Sequence, residues 1–271
     1  MKLFAELGPP APAPHTLTAE ERKQLSAALD ALPPLHRRVL KERLRSLSFL
    51  DGMPNTALTS TVNPDGDFRL FDITIRAGVF GQTTTDWLTE KERACFDAAG
   101  SPLEVSIEAG TSPAIVYALI HEATHVVDSS LHITPPPAAK GQPAARGDSK
   151  PFTQDVWADN TTPAARYRDA LLESVRFRSG GKVLPLGDAR AVYEALSRTP
   201  FASLYGSRNW SDDFAEYVAV YELTQTLHQP YRIVIGRGAE KTFVYEPMKS
   251  SLVLGRADRL NPGLLSSGGA Y

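Results

Sequence analysis

The stretch of sequence that decides the fold is residues 113–128, which read Pro-Ala-Ile-Val-Tyr-Ala-Leu-Ile-His-Glu-Ala-Thr-His-Val-Val-Asp. Ser112 is a typical helix N-cap and Pro113 suits the first turn, so the pattern predicts a helix that continues to about Ser130. Apolar residues cover most faces of this helix, which indicates a buried element at the centre of the protein.

This helix contains an H-E-x-x-H pattern formed by His121, Glu122 and His125. Residues four apart share a helix face, so both imidazoles can bind one ion, whereas Glu122 is rotated away and can act on a metal-bound water. In a chain with six histidines the pattern is rare by chance. We therefore predict zinc as cofactor, His121 and His125 as its ligands and Glu122 as general base. The alternative is a core helix whose histidines are hydrogen-bonded.

A catalytic zinc needs a third protein ligand, and the pattern favours Glu216. It is the only charged residue in residues 214–221, and its helix face continues through Val220 and Leu223. A buried ionised glutamate costs several kcal/mol unless it is paired or bound to metal, so we predict that Glu216 binds the zinc. The alternatives are His132, on a Pro-rich exit, and three glutamates that are expected to face water, Glu173, Glu194 and Glu222.

Asp128 shares the ligand face one helical turn beyond His125. A carboxylate at this position can orient a ligand imidazole through its second ring nitrogen, and we predict that role for Asp128. A cap at the end of the helix or a surface position is the alternative.

The two motifs, His121-Glu122-x-x-His125 and Asp213-Phe214-Ala215-Glu216, resemble those of the gluzincin metallopeptidases. The second motif is most similar to the lethal-factor-like bacterial zinc peptidases, and the resemblance covers only the two motif helices. It implies zinc, peptide-bond hydrolysis, and a cleft between an upper lobe, with a strand beside the substrate, and a lower helical lobe. By analogy it also implies that Tyr205 stabilises the oxyanion. The alternatives are a packing role for Tyr205, or His228, Tyr217 or Tyr231 in its place.

The predicted fold class is α+β: a zincin-like two-lobed metallopeptidase domain with a small mixed sheet in the N-terminal lobe and a mainly helical C-terminal lobe. We expect a Pro-rich spacer over residues 1–16 and a single catalytic domain over 17–271. Residues 17–132 form the N-terminal lobe, 133–165 a Pro/Gly-rich loop that borders and gates the cleft, and 166–271 the C-terminal lobe.

The remaining patterns place the other elements. Thr18 and Glu21 form a capping box, Ser211 is expected to cap the helix that carries Glu216, and residues 63–66 read as a turn. Helices are predicted over residues 18–32, 35–47, 86–99, 166–178, 188–198, 212–228 and 249–260, and strands over 57–62, 68–80, 103–108, 231–235 and 241–245.

Composition limits the class of function. Hydrophobic residues make up 42% and charged residues 22%, which is ordinary for a globular protein, and the formal net charge of -2 does not favour a nucleic-acid partner. A single cysteine, Cys95, excludes a disulfide framework. No segment reads as transmembrane, and the Pro-rich start weakly favours an extracytoplasmic location. We expect a monomer acting on a peptide or protein; the competing functions are a catalytically silent zincin-fold binding or toxin-like module, and an enzyme with structural zinc.

Overall fold

Helix α4, Ala114–Leu131, lies at the centre of the computed structural model, which describes residues 11–63, 68–136, 145–261 and 263–266. Fourteen of its 18 residues are buried. The helix packs against the other long helices and against one sheet. It ends at His132, whose φ of 54° is left-handed and breaks the helix. The predicted central helix is confirmed, except that its N-cap is Pro113 rather than Ser112 and no side chain caps it.

The described residues form seven further α-helices. They are α1 Ala19–Asp30, α2 Pro34–Arg43, α3 Thr84–Arg93, α5 Ala170–Glu173, α6 Ala189–Ser197, α7 Trp210–Tyr221 and α8 Ser251–Leu254. Of these, α1, α2, α3 and α7 pack against α4. The predicted capping box is present, because the Glu21 amide donates to Thr18 and the Thr18 amide donates to the Glu21 carboxylate. Within the described ranges, no helix is long and apolar enough to cross a membrane.

A four-stranded mixed sheet packs beside α4. Its strands are β1 Ala13–Pro14, β2 Leu44–Asp51, β3 Ala57–Thr61 and β4 Phe71–Arg76, in the order β1-β2-β4-β3. β2 and β4 run parallel, and the other pairs are antiparallel. β3 is an edge strand that also contacts α4. The α+β class and the small mixed sheet are therefore as predicted.

Two smaller sheets join distant parts of the chain. The first contains β6 Glu104–Glu108, β8 Arg232–Arg237 and β9 Glu240–Tyr245, all antiparallel. The second pairs β5 Phe96–Asp97 with β7 Leu184–Pro185. Both sheets connect residues on either side of the boundary that was expected between the two lobes. Among the described residues, the C-terminal hairpin completes a sheet that begins in the N-terminal half.

Several predicted helices are shorter than their patterns suggested. The helix over 35–47 ends at Arg43, because Leu44 begins a strand that pairs with β4. The helix over 86–99 ends at Arg93, and Ala99 adopts a left-handed φ of 37°. The helix over 166–178 is wrong: Asp169 caps the four-residue α5. The helix over 249–260 is reduced to α8 and single turns, with Gly255 at its end.

The helix α7 begins and ends differently from the prediction. Asn209, not Ser211, is its N-cap, and the side chain of Asn209 accepts a hydrogen bond from the Asp212 amide. After Tyr221 the chain continues as a π-helical turn, Glu222–Thr226. The first turn of α7 therefore includes both Ser211 and Asp212, which places their side chains at the surface that meets α4.

The expected loop over 133–165 is not excluded from the core. Residues 137–144 lie outside the described part, but Phe152, Val156 and Trp157 are each at most 2% exposed. Trp157 Nε1 donates to Asp213 at 2.8 Å, which fixes the segment to α7. The low periodicity of this segment reflects irregular backbone around large buried side chains.

Two other predicted features lie partly outside the described residues. Residues 64–66 of the predicted turn and the first ten residues of the expected spacer lie outside the described residues. Within the described part of the spacer, Ala13 and Pro14 pair with β2. The end of the spacer is thus part of the sheet.

His36, on α2, is buried against α4. Its Nε2 lies 3.0 Å from Thr124 Oγ1, and that hydroxyl donates to the carbonyl of Ile120 at 2.7 Å. The imidazole therefore donates through Nε2, and its Nδ1 has no partner in the described structure. Burial lowers the pKa of His36 to about 4, from an ordinary value of 6.5.

We predict that this histidine makes the protein less stable in mild acid. Because its pKa is lower in the folded than in the unfolded protein, its contribution is complete above pH 6.5 and is lost as the pH falls from 6.5 to 4. The loss is on the order of 3 kcal/mol. His36→Gln should flatten urea-unfolding stability between pH 7 and pH 5, whereas His228→Asn, at an exposed histidine, should not. An unchanged pH dependence in His36→Gln would contradict this assignment.

Candidate functional site

The candidate site lies where α4 packs against α7. α4 contributes His121 and His125, which are one helical turn apart. α7 contributes Asp212 and Glu216, which are also one turn apart and share the face toward α4. Each helix therefore presents an i, i+4 pair of polar side chains to the other inside a largely apolar interface.

Three of these side chains converge on a common point. His121 Nε2 and His125 Nε2 lie 3.2 Å apart, and Asp212 Oδ1 lies 3.7 Å and 3.5 Å from them. Tetrahedral zinc with bonds of 2.0–2.1 Å needs ligand atoms about 3.3–3.4 Å apart. In the described ranges this His-His-Asp cluster is the one group of three or more His, Cys, Asp or Glu side chains with such convergence. Its donor types and spacing fit a zinc-sized ion.

Glu216 takes a different position from the one predicted. It is buried, as expected, with 1% of its surface exposed. Its carboxylate accepts hydrogen bonds from Lys91 Nζ at 3.2 Å, Tyr117 Oη at 3.2 Å and Ser203 Oγ at 2.6 Å. Oε1 also lies 3.1 Å from Nδ1 of His121, although this contact is poorly aligned for a hydrogen bond. Glu216 thus lies on the Nδ1 side of the His121 ring, whereas Nε2 faces His125 and Asp212.

The expected geometry is therefore corrected: Asp212, not Glu216, lies beside the two Nε2 atoms. In the sequence, Asp212 is the first residue of the helix predicted over 212–228, a place where acidic residues are common for reasons unrelated to metal binding. The signal that could have found it is its spacing, since Asp212 precedes Glu216 by four residues and must share its face. Burial of Glu216 is explained by its polar partners.

The cluster is built to hold positive charge. Burial alone lowers the pKa of His121, but Asp212 and Glu216 outweigh it and raise the pKa to about 9. Burial alone raises the pKa of Glu216, but Lys91 and His121 outweigh it and hold the pKa at about 2. The pKa of Asp212 is likewise lowered by the two imidazoles against the effect of burial. Both carboxylates are ionised at neutral pH, so a cation between them is stabilised.

The second nitrogen of His125 is also held. Nδ1 of His125 lies 3.2 Å from Ser211 Oγ, and Ser211 donates to Asp128 at 3.3 Å. Asp128 also accepts from the amide and the hydroxyl of Thr134, both at 2.7 Å. Asp128 therefore reaches the imidazole through Ser211 and also anchors the chain after α4. A proton on Nδ1 leaves the Nε2 lone pair directed at the cluster.

Glu122 borders a cavity of about 510 Å³ next to the cluster. Thr59, on the edge strand β3, donates to Glu122 Oε2 at 2.6 Å. The first residues of the same strand, Ala57 and Leu58, form part of the cavity wall. The predicted base thus faces open space rather than the protein core. None of the described residues in 133–165 borders this cavity, so the structure gives no support to a gate formed by that segment.

Tyr205 borders the same cavity. Its ring centroid lies 5.9 Å from that of His121, and its hydroxyl accepts a hydrogen bond from Arg208 at 2.9 Å. Burial raises the pKa of Tyr205, so the phenol is neutral and keeps a proton to donate. The alternatives considered from the sequence, Tyr217, Tyr231 and His228, do not border the cavity.

The other candidate ligands lie away from the cluster. Glu173 pairs with Arg168 and Glu194 pairs with Arg190, both near the surface. Glu222 is fully buried rather than exposed as predicted, and it accepts from the amide of Ser266 at 2.8 Å. His132 ends α4 and does not join the cluster.

We predict that removing the Glu216 carboxylate destabilises the metal-free protein strongly. Glu216→Ala leaves Lys91 without its acceptor and removes the carboxylate beside His121, and breaking such a buried pair costs about 3–5 kcal/mol. Glu173→Ala, at a surface ion pair, should leave the unfolding free energy nearly unchanged. Urea unfolding after chelator treatment measures both, and equal effects would show that Glu216 is not an essential buried charge.

No protein-family profile, no curated protein and no solved structure matches this chain. The arrangement of side chains in the site is therefore what supports a functional assignment.

Proposed function

We propose that this protein is a zinc-dependent peptidase of the zincin type, in which His121, His125 and, in place of the glutamate of gluzincins, Asp212 hold the ion and Glu122 is the general base. The observation that carries the proposal is the triangle of 3.2–3.7 Å formed by the His-His-Asp cluster directly beside Glu122. Two histidines and a carboxylate leave a fourth position free, which is typical of catalytic rather than structural zinc.

A bound zinc ion would activate a water molecule and polarise the scissile carbonyl. Glu122 would accept the proton of the attacking water and return it to the leaving amine. Thr59 supports this role, because its hydroxyl fixes Oε2 of Glu122 by a hydrogen bond of 2.6 Å. The base is thereby oriented by a strand rather than by a loop, which limits its motion.

Glu216 and Asp128 would serve as positioning residues. Glu216 lies against Nδ1 of His121, and Ser211 links Nδ1 of His125 to Asp128. Partners of this kind fix the orientation and tautomer of ligand imidazoles. Both imidazoles then direct Nε2 toward the position of the ion.

The edge strand β3 favours a peptide as substrate. β3 pairs with β4 and is an edge strand, and its first residues, Ala57 and Leu58, border the cavity. An extended peptide can add to an open sheet edge through main-chain hydrogen bonds. This arrangement would place a peptide bond between β3 and the cluster, in a cleft of the zincin kind.

Tyr205 is our candidate for stabilising the developing oxyanion. Its hydroxyl is neutral, borders the cavity and is held by Arg208. A phenol in this position can donate to charge that forms on the scissile carbonyl. A catalytically silent binding module would have no need for a carboxylate oriented like Glu122, which favours the enzyme.

We predict about one zinc per chain in protein purified without chelator, measured by elemental analysis. Asp212→Ala should lose the metal, because it removes a ligand. Glu216→Gln should bind zinc about 10- to 100-fold more weakly, because it removes only an orienting charge. Glu194→Ala, on an exposed helix face, is the control. Full zinc in Asp212→Ala together with none in Glu216→Gln would restore Glu216 as the third ligand.

We predict that Glu122→Gln lowers the turnover of quenched-fluorescence peptides by at least about 100-fold while keeping zinc, because Glu122 moves protons and does not bind the ion. Peptide cleavage and metal content are measured on the same preparation, with chelator-treated wild type as the inactive reference. If Glu122→Gln retains activity, the base is another residue; if it loses metal, Glu122 is a ligand.

A further inference from the structure

Two cations converge on one aromatic ring in the wall of the cavity. Lys91, on α3, places Nζ 3.7 Å from the ring centroid of Tyr205. Arg208, just before α7, places Cζ 5.0 Å from the same centroid. Both side chains border the cavity together with His121 and Glu122. The cations thus lie within reach of any ligand that approaches the cluster.

Neither cation uses all of its donors inside the protein. Lys91 is 16% exposed and donates to Glu216, whereas an ammonium group has three N–H donors. Arg208 is 39% exposed, donates through Nη1 to Tyr205 and approaches Asp212 through Nε at 3.4 Å. Nη2 of Arg208 has no acceptor among the residues that the structure describes. Donors of both side chains remain for a ligand.

The carboxylates near these cations are already engaged. Asp212 and Glu216 also face the two imidazoles, so their charge is shared. Of the described residues that border the cavity, only Glu122 is acidic, and Thr59 already donates to it. These carboxylates therefore leave N–H donors of Lys91 and Arg208 available to a ligand.

Two further aromatic side chains, Trp87 and Phe177, line the cavity. Trp87 borders the cavity with its indole nitrogen donating to Thr56 at 3.2 Å, and Phe177 packs edge-on against Tyr205 at 5.2 Å. Charge-assisted hydrogen bonds are stronger where water is partly excluded. A carboxylate is the group that best complements two cations in such surroundings.

We propose that this cavity binds a carboxylate of the ligand, and that Lys91 and Arg208 determine specificity for it. The carboxylate belongs either to an Asp or Glu side chain close to the scissile bond or to the free C-terminus of a short peptide. The scissile bond in this inference rests on the proposed peptidase function, but binding of the carboxylate does not require hydrolysis.

The test is calorimetric binding of short peptides to the full-length Glu122→Gln protein, in which the peptide is not consumed. The probes are acetyl-Ala-Ala-Glu-Ala-Ala-amide, its Gln counterpart as the amide, and the Gln counterpart with a free C-terminus. We expect a peptide with a carboxylate to bind roughly 10- to 100-fold more tightly than the Gln amide. The Glu amide and the free-acid peptide distinguish the two sources.

Matched variants in the same background test the two cations. Arg208→Gln should reduce the preference for a carboxylate at least about tenfold, whereas Arg190→Gln should not, although Arg190 makes a comparable i, i+4 ion pair on an exposed helix face. Lys91→Met should also reduce it. Because Lys91 supports Glu216, Lys91→Arg provides a charge-conserving comparison that should retain the preference if Lys91→Met does not fold.

The outcomes separate this inference from the proposed function. Equal affinity for all three peptides, or no measurable affinity for any, would overturn the carboxylate site even if the wild type cleaves peptides. A carboxylate preference that Arg208→Gln abolishes would support the site even if the wild type cleaves nothing, and the peptidase proposal alone would then fail. A preference that survives both Arg208→Gln and Lys91→Met would assign it to other residues and overturn the proposal.

Discussion

The structure depends on the neutralisation of three carboxylates that α7 carries into the interior. Asp212, Asp213 and Glu216 are each at most 8% exposed. Each has its own cationic or protonatable partners: the imidazoles for Asp212, a two-pronged contact of 2.7 Å from Arg256 for Asp213, and Lys91 with His121 for Glu216. Uncompensated, any one of them would cost several kcal/mol. The position of α7 is therefore set by charges from three separate parts of the chain.

The sequence predicted the parts of the site that lie within one helix. The spacing of His121, Glu122 and His125 on α4 follows from helical geometry alone, so their mutual placement could be predicted from the sequence. The burial of Glu216 could also be predicted, because its face of the helix is apolar. The position of Asp212 beside the two imidazoles could not be predicted in this way, since it depends on the crossing of α4 and α7, and local sequence does not determine how two helices cross.

The same distinction explains the errors in the fold. The capping box at Thr18 and the C-terminal hairpin depend on neighbours in sequence and were predicted well. Leu44 begins a strand because its partner on β4 lies 27 residues later, which overrides an amphipathic pattern that reads as helix. Residues 145–165 join the core because Trp157 donates a hydrogen bond to Asp213, which lies 56 residues later in the sequence. A side chain that is buried by pairing with a distant charge produces no periodic hydrophobic pattern in the local sequence.

The burial of α4 has a consequence for how the proposed ion would bind. A helix enclosed by packing along most of its length holds its backbone in place, so the spacing of the two imidazoles is set before any ligand is present. The carboxylates of Asp212 and Glu216, which face this helix, are likewise held in place by the groups that neutralise them. The entropy of ordering these side chains would therefore be lost when the domain folds and not when the proposed ion binds, so little of the binding free energy would be needed to order the site.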